Sequence, residues 1–336
     1  MTALALRDRL GKAFGALGPG VLIAFTVAAA SMFISEHYNA PVMLMALLLG
    51  MAFNFLSEDN RCAAGIQFTS SRLLKIGVAC LGVRVTFDQI MSVGAVPLIS
   101  IPIFIVLTIA LGALLARLMD RPIGFGFLTG GAVAICGASA ALALSAVLPK
   151  TEVSQRNTLF TVIAVTTLST LAMIAYPIIF TNLGFSDVQS GILIGATIHD
   201  VAQVVGAGYA ISDEAGNVAT YVKMMRVAML PVVIIAFSLY LRRGTDETAK
   251  APMPWFAISF GIVLLVNSLG ILPGFAVEAI RALSQWLLVA AIAALGMKTS
   301  MKAMLSLGGK HIGMVVLETL FLLVMAIGVV ALFIPE

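Results

Sequence analysis

Val96–Ala116 reads VPLISIPIFIVLTIALGALLA, twenty-one residues without a charged side chain. An α-helix rises about 1.5 Å per residue, so this stretch alone covers the roughly 30 Å hydrocarbon core of a bilayer. Its apolar residues follow no single helical stripe, so the helix is buried or lipid-facing all round. Leu17–Ser35 and Ile312–Ile334 have the same character, the latter interrupted only by Glu318.

The composition agrees. Of 336 residues, 60% are hydrophobic and 11% charged, with a mean hydropathy of +1.07. A soluble domain carries about 25% charged residues, so this chain lacks the polar surface to face water. The net charge is +4 and no basic run is interleaved with aromatics, which excludes nucleic acid as a partner. Cys62, Cys80 and Cys136 are odd in number and show neither CxxC nor Cys/His spacing, so neither a disulfide framework nor a metal centre is expected. Arg7, Arg9 and Lys12 precede an apolar stretch too long for a signal peptide and without a clean small-x-small site, which reads as a retained first helix.

The expected fold is an all-α polytopic membrane protein with about eleven transmembrane segments, near 17–35, 40–57, 66–83, 93–119, 124–148, 157–182, 189–212, 219–242, 253–271, 281–299 and 311–334. The links are short, so residues 1–336 form one transporter domain, with halves at about 17–182 and 189–334. With the N-terminus cytoplasmic and every segment spanning, twelve Lys and Arg fall inside. Arg84, Lys150, Arg156, Lys223, Arg226 and Arg281 fall outside. That bias favours a cytoplasmic N-terminus and an external C-terminus.

An internal repeat is visible. Leu73–Ser92 (LLKIGVACLGVRVTFDQIMS) aligns with Leu287–Ser306 (LLVAAIAALGMKTSMKAMLS), and Pro41–Asn54 aligns with Pro254–Asn267 at nearly the same offset. The matched segments are the third and the tenth. An odd separation turns one copy upside down, which is the mark of the inverted repeats of secondary transporters.

Two segments hold the candidate chemistry. Gly124–Pro149 (GFGFLTGGAVAICGASAALALSAVLP) is dense in small residues. Glycine costs about 1 kcal/mol in a helix interior, so Gly130 to Ala140 favours either a break or close helix packing. A broken helix exposes N–H donors at its new N-terminus, which suits an anion. Gly131, Gly137, Ala138 and Ser139 are the candidate cradle. Gly191–Ser212 (GILIGATIHDVAQVVGAGYAIS) places His199, Asp200 and Gln203 in an apolar span, where polar groups turn inward and are usually functional. His199 and Gln203 are four apart and share a helix face, whereas Asp200 points elsewhere or the helix breaks there. Histidine exchanges protons near neutral pH, so His199 and Asp200 are the coupling candidates. The competing reading is a structural hydrogen-bond network. Lys223 and Arg226, one turn apart, would draw an anion toward the cavity or else snorkel to the interface. Glu318 has no assigned partner. The hydroxyls of Thr161, Thr166, Thr167, Ser169 and Thr170 are explained by back-bonding to helix carbonyls.

Gly130–Ala141 (GGAVAICGASAA), Ile194–Tyr209 (IGATIHDVAQVVGAGY), Val222–Pro231 (VKMMRVAMLP) and the KIGVACLGVRVT pattern resemble the YeiH-like sulfate exporter family over essentially the whole chain. Asp200 stands where the family more often has Glu. The resemblance implies a multi-pass bacterial inner-membrane transporter, a homodimer, related to sodium/bile-acid symporters and cation–proton antiporters. Those proteins have paired inverted repeats and discontinuous crossing helices. By that analogy Gly130–Ser139 is a crossing helix whose partner lies near Ala290–Ser300, a different register from the third-to-tenth alignment.

The expected function is ion-coupled secondary transport of a small anion such as sulfate or another sulfur-containing or organic anion. The expected partners are that anion, the lipid bilayer and a second copy of the chain. No cofactor is expected beyond a coupling H+ or Na+. There is no GxxxxGK[ST] loop for ATP. The alternatives are a non-transport subunit or sensor that binds an anion, and an intramembrane enzyme using His199 and Asp200. The enzyme is disfavoured because HExxH and GxSxG are both missing.

Overall fold

A computed structural model describes residues 3–38, 40–87, 91, 94–145, 147–149, 151–241, 255–299 and 309–334. Among them the fold is all helical, without a strand. The helices are α1 (Ala3–Tyr38), α2 (Val42–Ala52), α3 (Ala63–Phe68), α4 (Leu74–Cys80), α5 (Val96–Leu118), α6 (Ile123–Ala134), α7 (Ala138–Ser145) and α8 (Glu152–Asn182). They continue with α9 (Asp187–Thr197), α10 (Val201–Ile211), α11 (Asp213–Ala228), α12 (Leu230–Leu241), α13 (Trp255–Ser268), α14 (Gly274–Lys298) and α15 (Gly309–Phe333). A π turn, Thr69–Leu73, joins α3 to α4, and a 3₁₀ turn, Leu81–Arg84, follows α4.

Six of these stretches are long and apolar enough to cross a membrane: Gly15–Tyr38, Val96–Leu118, Glu152–Asn182, Asp213–Tyr240, Gly274–Lys298 and Ile312–Phe333. The protein is therefore a multi-pass membrane protein. The other five expected segments fall on shorter or interrupted helices.

The chain divides into two compact units, each drawn from both ends of the sequence: residues 1–86 with 259–305, and residues 87–258 with 306–336. In the first unit the elements that the sequence alignment pairs meet in reciprocal fashion. The Asn54 amide donates to Met297 O, and the Asn267 amide donates to Val83 O. In the sequence alignment Asn54 matches Asn267 and Val83 matches Met297. The close approaches are reciprocal too. A Cβ on Gly82 would strike Phe260 O and Leu264 N, and one on Gly296 would strike Leu47 O and Met51 N. Only glycine lets these backbones touch, and the alignment pairs Leu47 with Phe260 and Met51 with Leu264. Residues 88–90, 92, 254 and 300–306 of the aligned copies lie outside the described residues.

The second unit holds α5 to α12 and α15, and two of its segments depart from expectation. The breaks exist, but the helices do not cross; each turns back on itself. A Cβ on Gly131 would run into Leu144, and one on Gly124 would lie 3.0 Å from Leu148. On a straight helix Gly124 and Leu148 would be about 36 Å apart, so α6 and α7 are the arms of a hairpin. The turn is Ile135–Cys136–Gly137. Gly137 has φ +58°, the left-handed region that L-residues avoid.

The pair α9 and α10 behaves alike. Cβ positions on both Gly195 and Gly208 lie against Ala219 of α11, although the two glycines are thirteen residues apart. Thus α9 runs parallel to α11 and α10 runs back, with the turn at Ile198–His199–Asp200. The second break is therefore here and not near Ala290–Ser300, where α14 runs uninterrupted from Gly274 to Lys298. Its buried run Leu287 to Ala294, mostly Ala and Leu without Gly or Pro, gives that helix no reason to stop.

Local chemistry starts each arm. Ser186 and Gln189 form a capping box at α9. Asp200 caps α10 by accepting from Ala202 N–H at 3.4 Å, and Ser212 caps α11 through Ala215 N–H at 3.0 Å.

Candidate anion site at the hairpin tips

The two hairpins meet tip to tip. A Cβ on Gly137 would lie 3.3 Å from His199 Cβ. Each incoming arm, α6 or α9, ends at the tip with carbonyl groups that no later turn of helix can satisfy. Buried in protein, such groups need other donors. Lys223 and Arg226 of α11 supply them.

Lys223 Nζ donates to Ile135 O at 2.7 Å and to Ile198 O at 3.0 Å, one carbonyl from each tip. Arg226 donates from Nε to Ala134 O at 2.8 Å and from Nη2 to Val133 O at 2.7 Å. Its Nη1 donates to Gly195 O and Ile198 O, both at 3.1 Å. The two side chains are 0% and 2% exposed, so neither snorkels to an interface. They sit on the negative ends of two helix dipoles and tie both hairpins to α11. The α11–α12 stretch spans Asp213–Tyr240. Lys223 lies about 15 Å along it.

The outgoing arms present the opposite ends. At α7 the first-turn N–H groups have no acceptor within the helix. Ala138 is half-buried there and Ser139 is exposed. At α10 the N-cap is itself an acid, the half-buried Asp200, whose own N–H donates to Ser169 Oγ at 3.0 Å. The start of α7 therefore offers N–H donors, an open hydroxyl and two nearby buried cations, a combination that attracts an anion.

The remaining sequence candidates separate. Gly137 is buried and makes the turn, while Gly131 packs between the arms of its hairpin, away from the tip. His199 and Gln203 do not share a helix face, because the turn at 198–200 lies between them and only Gln203 is in α10. The His199 ring meets Thr319 Oγ1 of α15 at 3.0 Å. Thr319 spends its own hydrogen on Val315 O, so His199 Nε2–H is the donor. Gln203 faces α8, donating to Thr170 Oγ1 at 3.4 Å. Gln203 Oε1 is buried and has no hydrogen-bond partner among the described residues. Asp200 lies at the same tip as His199.

Back-bonding accounts for Thr161 and Thr170, which donate to Asn157 O and Thr166 O. It does not account for Ser169, which holds the Asp200 backbone. Thr319 escaped sequence reading because a single hydroxyl in an apolar helix gives no sign of what it faces. Among the described residues no group of three or more His, Cys, Asp or Glu is placed to hold a metal ion.

Comparison with known proteins adds kinship. The family model described as Conserved hypothetical protein 698 matches residues 19–315. The UPF0324 membrane protein CT0845 of Chlorobaculum tepidum is 51% identical over 315 residues, which is 92% of this chain and 88% of the relative. RB0971 of Rhizobium meliloti is 49% identical over 323 residues, 95% of this chain and 94% of its own. The UPF0324 membrane protein TauZ of Paracoccus denitrificans is 47% identical over 312 residues, 91% of this chain and 92% of its own. No solved structure matches the chain.

Proposed function

The chain belongs to the YeiH-like UPF0324 membrane protein family, and from that premise and the geometry of the hairpin tips we propose that it is an ion-coupled secondary transporter of a small anion. One observation carries the reading. Two helical hairpins meet deep in the second unit, with their carbonyl ends held by Lys223 and Arg226 and the N-terminal end of α7 left open at Ala138 and Ser139.

The anion seats on the first-turn N–H groups of α7 and the Ser139 hydroxyl. Lys223 and Arg226 draw it there through their charge, since the Arg226 donors are already used on carbonyls. His199 and Asp200 stand at the other tip and link occupancy to a coupling proton or sodium ion, with Gln203 behind them against α8. No bond is made or broken, so the chain is a carrier and not an enzyme.

The hairpins also change the topology. Nine crossings and two re-entrant hairpins replace eleven spans: the six long helices, α2, the Ala63–Arg84 stretch and α13 cross. The hairpin α6–α7 returns to the side where α5 ended, so Lys150 and Arg156 become cytoplasmic. Lys223 and Arg226 leave the count because they are buried. Of the external cations only Arg84 and Arg281 remain, a stronger positive-inside bias than eleven spans gives. The hairpins then enter from opposite faces, because α8 crosses between them. The third and tenth segments are five crossings apart, so their copies stay inverted, and the reciprocal Asn54 and Asn267 bonds support that repeat. The protein sits in a bacterial inner membrane as a homodimer, with its N-terminus inside and its C-terminus outside.

The test is counterflow in sealed proteoliposomes, with labelled sulfate and labelled taurine as probes. Exchange of one probe against its unlabelled form, lost in Ser139→Leu, is the expected result. Equal exchange in the variant would remove the anion from α7.

A further inference from the structure

Glu318 is not used by the site above, and its surroundings are unusual. It lies in the middle of α15 and is 0% exposed. Its Oε1 accepts from Thr129 Oγ1 of α6 at 2.8 Å, and its Oε2 is buried with no hydrogen-bond partner. Gly112 of α5 makes the space: a Cβ there would come within 2.7 Å of Glu318 Oε1. One turn earlier on α5, Thr108 Oγ1 is likewise buried and unpartnered.

No cation pairs with Glu318 among the described residues. On the elements packed against α15, α6 has no ionisable residue. On α5 the one ionisable residue is Arg117, exposed near its end. On α8 there are Glu152 and Arg156, exposed at its start, and the buried Tyr176. On α9 there is only Asp187, its first residue. On α15 itself Lys310 and His311 stand at the first turn. His199 comes closest by connection, through the adjoining Thr319.

A carboxylate alone in such an interior would be among the costliest groups a membrane protein can hold, and a Na+ ion would need several more oxygens than are gathered here. A proton removes the difficulty. It neutralises the group and leaves the Oε1 carbonyl to accept from Thr129. We infer that Glu318 is a proton-binding site, and that the proton it takes up and releases is the one coupled to anion movement.

The placement gives that proton leverage on both hairpins. Glu318 holds an arm of the first through Thr129, and its neighbour Thr319 holds the tip of the second through His199. Losing the proton creates a buried negative charge between α5, α6 and α15, so the arms must part or water must enter before release. The use made of the proton rests on the transport reading; the proton site itself does not.

The experiment has two arms. Infrared spectroscopy of the purified wild type and of Glu318→Gln reads the C=O band of a buried carboxylic acid; the band should be present in wild type and lost in the variant. In proteoliposomes at zero membrane potential, with labelled sulfate and taurine as probes, Glu318→Gln should keep counterflow. It should lose accumulation driven by a pH gradient, ending at equal concentrations on both sides. Gln keeps the carbonyl that accepts from Thr129, so a merely structural role predicts a silent variant. PH-driven accumulation equal to wild type would overturn the coupling role, and a wild type without the acid band would overturn the site. Should neither protein move either probe, transport of these probes falls and the infrared arm alone decides whether Glu318 holds a proton. Glu318→Asp, which keeps an acid, should retain pH-driven accumulation if the Gln variant does not fold; failure to accumulate in a folded Asp variant would count against the coupling role.

Discussion

The hairpins α6–α7 and α9–α10 are the same backbone device with different electrostatics. Both arrive at the tip with carbonyls, and both have those carbonyls satisfied by Lys223 and Arg226. They differ in how they leave. The α9–α10 hairpin departs through Asp200, which supplies its own negative charge to the helix start. The α6–α7 hairpin departs through Gly137, Ala138 and Ser139, with no acid. One helix start is capped by an acid of its own sequence, and the other is not. A helix break is thus not yet a binding site; the residue at the new N-cap decides whether the site is already filled.

Removing the shared support should break both hairpins at once. Arg226→Leu leaves the carbonyls of Val133, Ala134 and Gly195 buried and without their donor, and weakens Ile198. At about 1–3 kcal/mol for each buried unsatisfied group, the loss should exceed about 3 kcal/mol, read as a collapse of thermal stability in detergent. A melting curve equal to wild type would mean that water takes over those carbonyls. Lys223→Met should cost less, about 1–3 kcal/mol, because Ile198 keeps its bond from Arg226. Gly137→Ala distinguishes the tips more finely. It forces a Cβ into φ +58° and against His199, at about 1–2 kcal/mol, and should leave α9–α10 intact by hydrogen exchange.

Asp200→Ala reverses the comparison. It removes the cap of α10, at about 1 kcal/mol, and leaves the second tip as open as the first. Equilibrium binding of labelled sulfate should then gain affinity or a second site. Weaker binding would show that Asp200 serves the anion indirectly and that the tips are not equivalent helix starts.

These contrasts were unequally legible in the sequence. The membrane class followed from stretches such as Val96–Ala116, because a bilayer imposes length and hydropathy on local sequence. The third-to-tenth alignment was visible in the text, and its aligned positions pack reciprocally, Gly82 on Phe260 and Gly296 on Leu47. A break within Gly130–Ala140 was legible as one of two alternatives, because glycine is costly in a helix interior; the structure puts it at Gly137, in the left-handed region. The break at 198–200 was legible only as an alternative, since Ile-His-Asp carries no helix-breaking residue. That both breaks reverse the chain was hidden, because reversal depends on packing of Gly131 on Leu144 and of Gly195 and Gly208 on Ala219. The role of Lys223 and Arg226 was hidden for the same reason: their partners are backbone carbonyls 25 to 93 residues away.

The smallest expected effect on folding belongs to the residue with the largest expected effect on binding. Ser139 is exposed at the start of α7, so Ser139→Leu should change stability by no more than about 0.5 kcal/mol. Thermal stabilisation of the purified protein by a panel of small anions, wild type against Ser139→Leu, is therefore the most direct test, since a ligand of the folded state raises its apparent stability by mass action. The expected result is a selective rise with one anion in wild type that disappears in the equally stable variant. A rise that survives in Ser139→Leu, or no rise with any anion, would contradict an anion site at the open tip.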